Sequence, residues 1–158
     1  MLLGKKRKLG RKLTEIQVGE KLELTEKIED KDLLLYLGLT NDANPLYIQH
    51  DYASQTPFKK PIVPSIMLTG IITSAVSKYL PGPGSHIISQ DIAFPKPVYH
   101  YATIQFLFEV AEVNDEDHSI VMNILGTDDN QQTVIKGSIT VCPPHRLEPM
   151  ESSALENF

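Results

Sequence analysis

Residues Ser65 to Leu80 read SIMLTGIITSAVSKYL, a stretch of sixteen in which Lys78 carries the only charge. Pro64 precedes it and the string Pro81-Gly82-Pro83-Gly84 follows it. A proline just before a helix is harmless because the first N–H groups of a helix have no internal partner, whereas the downstream string of breakers stops it. One helix over Ser65–Leu80 is therefore expected, apolar around most of its circumference and buried on nearly all sides. Such a helix must be wrapped by other parts of the chain. It falls short of the ~18 apolar residues that crossing a bilayer requires, so no membrane span is expected.

The remaining sequence supplies wrapping material in the form of strands. Leu22, Leu24 and Ile28 repeat with period two across Lys21–Ile28, the pattern of a half-buried strand. Further strands are expected at His86–Ala93, Ala102–Val113, Ser119–Leu125 and Thr133–Val141. The turn signals Pro95-Lys96-Pro97, Asn114-Asp115-Glu116-Asp117 and Thr127-Asp128-Asp129-Asn130 separate them. Short polar connections favour antiparallel pairing. Between the first strand and the helix, the Leu-rich run Asp32–Leu39 suits one or two helical turns. Thr40-Asn41-Asp42-Ala43-Asn44-Pro45 reads as a loop, and a short helix is expected near Asp51–Ser54. The whole pattern predicts an α+β fold in which an antiparallel β-sheet curls around a central α-helix.

A chain of 158 residues suits one domain. The reading divides it into a basic N-terminal extension over 1–17, the folded domain over 18–142 and an irregular tail over 143–158. The net charge of −5 argues against broad nucleic-acid binding, although Lys5, Lys6, Arg7, Lys8, Arg11 and Lys12 cluster at the start. That cluster suits either phosphate attraction or, more simply, a solvated arm, and the stretch before Val18 is too short for a helix-turn-helix. It lacks the apolar core of a secretory signal, which points to a cytoplasmic protein. Cys142 is the sole cysteine, so no internal disulfide forms. His86, His100, His118 and His145 are dispersed without ligand spacing, and neither a metal nor a cofactor is expected.

One constellation carries chemistry. The segment Asn41-Asp42-Ala43-Asn44-Pro45-Leu46-Tyr47, then Pro61-Ile62-Val63-Pro64-Ser65 and Phe94-Pro95-Lys96-Pro97-Val98, resembles the signature of the MaoC-like (R)-specific enoyl-CoA hydratases. The resemblance covers roughly Val18 to Val141 and implies the hot-dog fold of that family. It implies that Asp42 is the catalytic aspartate, that Asn44 and Pro45 shape the loop beside it, and that Tyr47 stands where the family has its catalytic histidine. In the family pattern the Asp and His hold a water that adds to the double bond of an enoyl thioester. A phenol, with a pKa of about 10 against about 6.5 for imidazole, is a poor general base, which leaves Asp42 as the base and Tyr47 as an orienting hydroxyl.

The resemblance further implies that the first residues of the central helix, Ser65 and Ile66, bind substrate, with the Ser65 N–H polarising the thioester carbonyl. The family has glycine at Ser65, histidine at Pro64 and usually glycine at Asn41. Plainer readings stand beside these: Asp42 as a cap in a polar loop, Tyr47 as a half-buried aromatic with a satisfied hydroxyl, Ser65 as an N-cap. His50, three residues after Tyr47, is a substitute base or a surface residue. Met67, Ile71 and Val76 suit plain core or an acyl tunnel.

Two functions follow. The first is an enoyl-thioester hydratase or (R)-3-hydroxyacyl-thioester dehydratase acting on acyl-CoA or acyl carrier protein substrates in fatty-acid metabolism. The alternative is a catalytically silent hot-dog protein that binds acyl-CoA or forms part of a complex. A hot-dog thioesterase ranks last, because the helix contains no Asp or Glu to serve as base. A curled sheet leaves an edge uncovered, which favours a homodimer.

Overall fold

The computed structural model describes residues 8–145. Lys5, Lys6 and Arg7 of the basic cluster and positions 146–158 of the expected tail lie outside the described residues. After a 3-10 turn at Leu13–Glu15, strand β1 (Lys21–Lys27) leads into α1 (Asp30–Thr40), α2 (Pro45–Ile48), α3 (His50–Ser54) and α4 (Ser65–Lys78). Strands β2 (His86–Ala93), β3 (Thr103–Asn114), β4 (Ser119–Thr127) and β5 (Thr133–Cys142) complete the domain. All pairings are antiparallel and the order across the sheet is β1-β3-β4-β5-β2. The expected α+β arrangement of a sheet against one main helix is therefore present.

Helix α1 is longer than the one or two turns the sequence suggested, and its ends explain why. Glu29 and Asp32 form a reciprocal capping box, the Glu29 N–H donating to Asp32 Oδ2 at 3.1 Å. Asp30 and Asp32 also place negative charge against the positive end of the helix dipole. At the other end Asn41 takes the left-handed conformation, with φ 55°, and its N–H closes on Leu37 O.

The main helix departs from expectation in a more consequential way. It buries Leu68, Ile72, Ala75 and Val76, a single stripe, in a core shared with Ile104, Phe106, Phe108, Met122, Ile124 and Ile139. Ser65, Ile66, Gly70, Thr73 and Ser77 are exposed. Near-complete burial is thus replaced by a one-sided contact. The cause is chemical: the uncharged residues on the open side include Thr69 and Thr73, whose hydroxyls donate to Ile66 O and Thr69 O, each at 2.9 Å. Satisfied by their own helix, they do not require an apolar cover.

The described part of the N-terminal arm is packed. The Gly10 and Arg11 N–H groups donate to Pro83 O and Pro81 O, both at 2.8 Å, while Leu13 and Ile16 enter the core. The Arg11 guanidinium pairs with the Glu20 carboxylate. On the far edge, β2 lies so close to β5 that a Cβ on Gly137 would stand 2.0 Å from Asp91 O, so only glycine fits there.

His100 is an anomaly in this frame. Its side chain is 13% exposed, neither ring nitrogen has a hydrogen-bond partner, and Nδ1 stands 3.9 Å from Asp30 Oδ1. Burial depresses its pKa, with nearby His50 adding to the effect and Asp30 opposing it.

Two outcomes are expected. Ile72→Ala should cost about 2–5 kcal/mol in urea unfolding, whereas Thr73→Ala, one position on, should stay within about 0.5 kcal/mol. Because His100 binds its proton more weakly folded than unfolded, stability should fall as pH drops below about 6.5 towards the lower folded value. Denaturation midpoints between about pH 7 and pH 5.5 should show that slope in the parent and a reduced one in His100→Gln.

Candidate functional site

The left-handed turn at Asn41 folds the chain back along α1, so that Asp42 meets a residue six positions earlier. Tyr36 Oη donates to Asp42 Oδ2 at 2.6 Å, and the Asn44 N–H donates to Asp42 Oδ1 at 3.0 Å. Asparagine tolerates this conformation almost as glycine does, so the turn survives without the glycine of the resembled motif. Asn44 in turn caps α2, its Oδ1 accepting from the Leu46 N–H at 3.0 Å ahead of Pro45 at the first helical position. Asp42 is therefore both a turn-forming residue and a carboxylate with one acceptor site left on each oxygen.

Tyr36 was not legible as a site residue from sequence. Within DLLLYLGLT its polar tip was the one available signal. Its phenol is held above the usual tyrosine range, first by the hydrogen bond to Asp42 and then by burial, and it remains a protonated donor at neutral pH. Tyr47 lies close enough to act on the same phenol. Tyr47 is half-buried, and its hydroxyl makes no protein hydrogen bond among the described residues.

The chain that leads to Ser65 and Ile66 is tied to α2 through the backbone. The Ile62 N–H donates to Leu46 O at 3.2 Å and the Val63 N–H to Val98 O at 2.7 Å, which pins the segment leading into α4 between α2 and the chain before β3. Pro64 occupies the cap position, so Ser65 is the first helical residue and not an N-cap. The N–H groups of Ser65 and Ile66 then have no intrahelical partner and point out from the positive end of the helix. No hydrogen bond joins Asp42 or Tyr47 to Ser65 among the described residues. His50 is exposed at the start of α3 and bonds to none of them.

With this corner in view, the comparisons decide its kinship: the MaoC like domain family matches residues 12–131. The chain belongs to the MaoC-like domain family. It is similar to an (R)-specific enoyl-CoA hydratase of Rhodospirillum rubrum, 30% identical over 132 residues that span 84% of this chain and 91% of the relative. A 3-hydroxybutyryl-CoA dehydratase of Methylorubrum extorquens is 31% identical over 65% of each chain. Among solved structures, the unliganded R-hydratase PhaJ1 of Pseudomonas aeruginosa superposes with a TM-score of 0.78 at 26% identity, covering 90% of this chain and 96% of that one. The fold is the hot-dog fold of these relatives.

A cavity of about 370 Å³ opens between β1, α1 and α4, lined by apolar Leu24, Leu35, Met67 and Ile71 and by charged Glu26, Lys27, Asp32 and Lys78, and none of Asp42, Tyr47, Ser65 or Ile66 lines it. Met67 and Ile71 line this cavity and also pack against the core, in which Val76 is 1% exposed. Volumes of this order hold small organic ligands.

Tyr36→Phe removes one of the two donors to Asp42 without changing ring volume. It should lower thermal stability by about 1 kcal/mol, as read by calorimetry, and leave far-UV circular dichroism unchanged.

Proposed function

We propose that this chain is an enoyl-thioester hydratase, equally able to dehydrate an (R)-3-hydroxyacyl thioester, with Asp42 as base. The observation that carries the proposal is the Asp42 carboxylate clamped by Tyr36 Oη and the Asn44 N–H. The chain carrying it belongs to the MaoC-like family, and the loop after Asp42 is tied to the segment before α4 by the Ile62 N–H bond to Leu46 O. The relatives are named as hydratases and dehydratases of CoA and acyl-carrier-protein thioesters, which supports both carriers as partners.

In this reading Asp42 takes a proton from a water whose oxygen adds to C3 of the enoyl thioester. The electrons of the double bond pass to the thioester oxygen, which accepts a hydrogen bond from the Ser65 N–H, with Ile66 beside it. The proton held by Asp42 then reaches C2 as the carbonyl reforms. Asn44 keeps the loop in register, and the hydroxyl of Tyr47 orients the water from the position where the family has histidine. The groove floored by Met67 and Ile71 takes the acyl chain. A second copy of the chain covers the open β2 edge and the exposed side of α4, where Ile66 and Ile88 are 57% and 52% exposed, to make a homodimer.

The alternative, a catalytically silent acyl-thioester binder, is favoured by one feature, the phenol of Tyr47 in place of a titrating imidazole. Hydration of crotonyl-CoA, followed by loss of enoyl absorbance, separates the two. Turnover that falls by about 10²–10⁴-fold in Asp42→Ala is expected of the hydratase. Turnover absent in the parent and gained in Tyr47→His would instead identify the silent binder.

A further inference from the structure

The fold gathers donors that the sequence keeps far apart. Cys142, the only cysteine, ends β5, His118 sits in the β3–β4 turn, and His145 follows Pro143-Pro144. One ligand atom from each of these three residues lies within 4.8 Å of the others. Cys142 Sγ and His145 Nε2 are 3.4 Å apart, and the His118 and His145 rings stack with centroids 4.1 Å apart. A tetrahedral zinc ion with Zn–S of about 2.3 Å and Zn–N of about 2.0 Å places its sulfur and nitrogen ligands about 3.5 Å apart, so the Cys142–His145 spacing already suits such an ion.

Two further features prepare this corner. His118 Nε2 lies 3.3 Å from Pro143 O, and donation from that nitrogen leaves Nδ1 with the free lone pair, the arrangement that fixes the tautomer of metal-bound imidazoles. The Pro143-Pro144 step is anchored, since a Cβ on Gly84 would stand 2.9 Å from Pro144 Cβ, and this holds His145 near the thiol. In the β2–β5 ladder His86 is directly opposite Cys142, on the same face of the sheet but outside the three gathered ligand atoms. Parallel rings cannot aim both lone pairs at one point, so His145, the exposed member, must rotate as the ion enters.

We propose that His118, Cys142 and His145 bind a borderline-soft divalent cation, Zn²⁺ being the natural occupant of one thiolate and two imidazoles, with the fourth position left to water or His86. Binding releases the thiol proton of Cys142 and ties the chain after β5 to the β3–β4 turn. The site shares no residue with the Asp42 corner.

Cobalt(II) provides the test, because thiolate ligation gives a near-ultraviolet charge-transfer band and tetrahedral geometry gives intense visible bands. Full-length protein, stripped with chelator and titrated with Co²⁺, should show both at one ion per chain, and Zn²⁺ should displace them. Cys142→Ser should abolish the charge-transfer band. His118→Gln and His145→Gln should each weaken binding at least as much as the ~10–100-fold loss typical of a metal's outer partners. His50→Gln should change nothing. Circular dichroism checks each variant, and if Cys142→Ser does not fold, the two histidine variants decide. No charge-transfer band in the parent, or a band that survives both histidine substitutions, would overturn the proposal.

Discussion

The contact on which the other placements depend is the stripe Leu68, Ile72, Ala75 and Val76 of α4 against the phenylalanine-rich face of the sheet. Phe106 and Phe108 are 1% and 0% exposed, and Ile72 is 0% exposed between helix and sheet. Since packed interiors leave few voids, seating this stripe fixes the rotation of α4 about its axis. That rotation decides which side chains face the groove beside β1 and α1, and which way the first N–H groups of α4 point. A helix turned by one residue would bury Thr73 and expose Ile72, exchanging a satisfied polar side for the core.

Anchored this way, the domain holds its candidate site in the segment between β1 and α4. Asp42 is held by a tyrosine from the helix before it and by the backbone two residues after it, so its orientation rests on α1 and the loop together. The Leu46–Ile62 backbone bond then couples that loop to the mouth of α4. Rigid elements frame the site while loop residues supply it, a common division of labour because loops escape the packing constraints of the core.

The strands were legible because their period-two patterns sit between clear turn signals: His86–Ala93 is observed as expected, and the later three shift by at most two residues. The length of α1 was less legible, since a run of leucines gives no clear period while the capping box that extends it lies at its start. The one-sidedness of α4 was misread because Ser, Thr and Gly carry no charge yet need no burial. Asp42, Asn44, Tyr47, Ser65 and Ile66 stand out as candidates only through the spacing of a motif. Tyr36 and the unpartnered His100 left no such trace, since each matters through a neighbour distant in sequence or on another element.

By itself the sequence determined the elements, their order, the antiparallel sheet with its single main helix, and the motif that points to the MaoC-like family. These depend on local rules of periodicity, breakers and caps, which are written residue by residue. Only the tertiary structure decided which side of α4 is buried, that Tyr36 holds Asp42, and that His118, Cys142 and His145 meet at one corner. Those outcomes depend on how a turn and two strand ends are brought together across the sheet, and long-range juxtaposition is set by packing of the whole core, which no local pattern encodes.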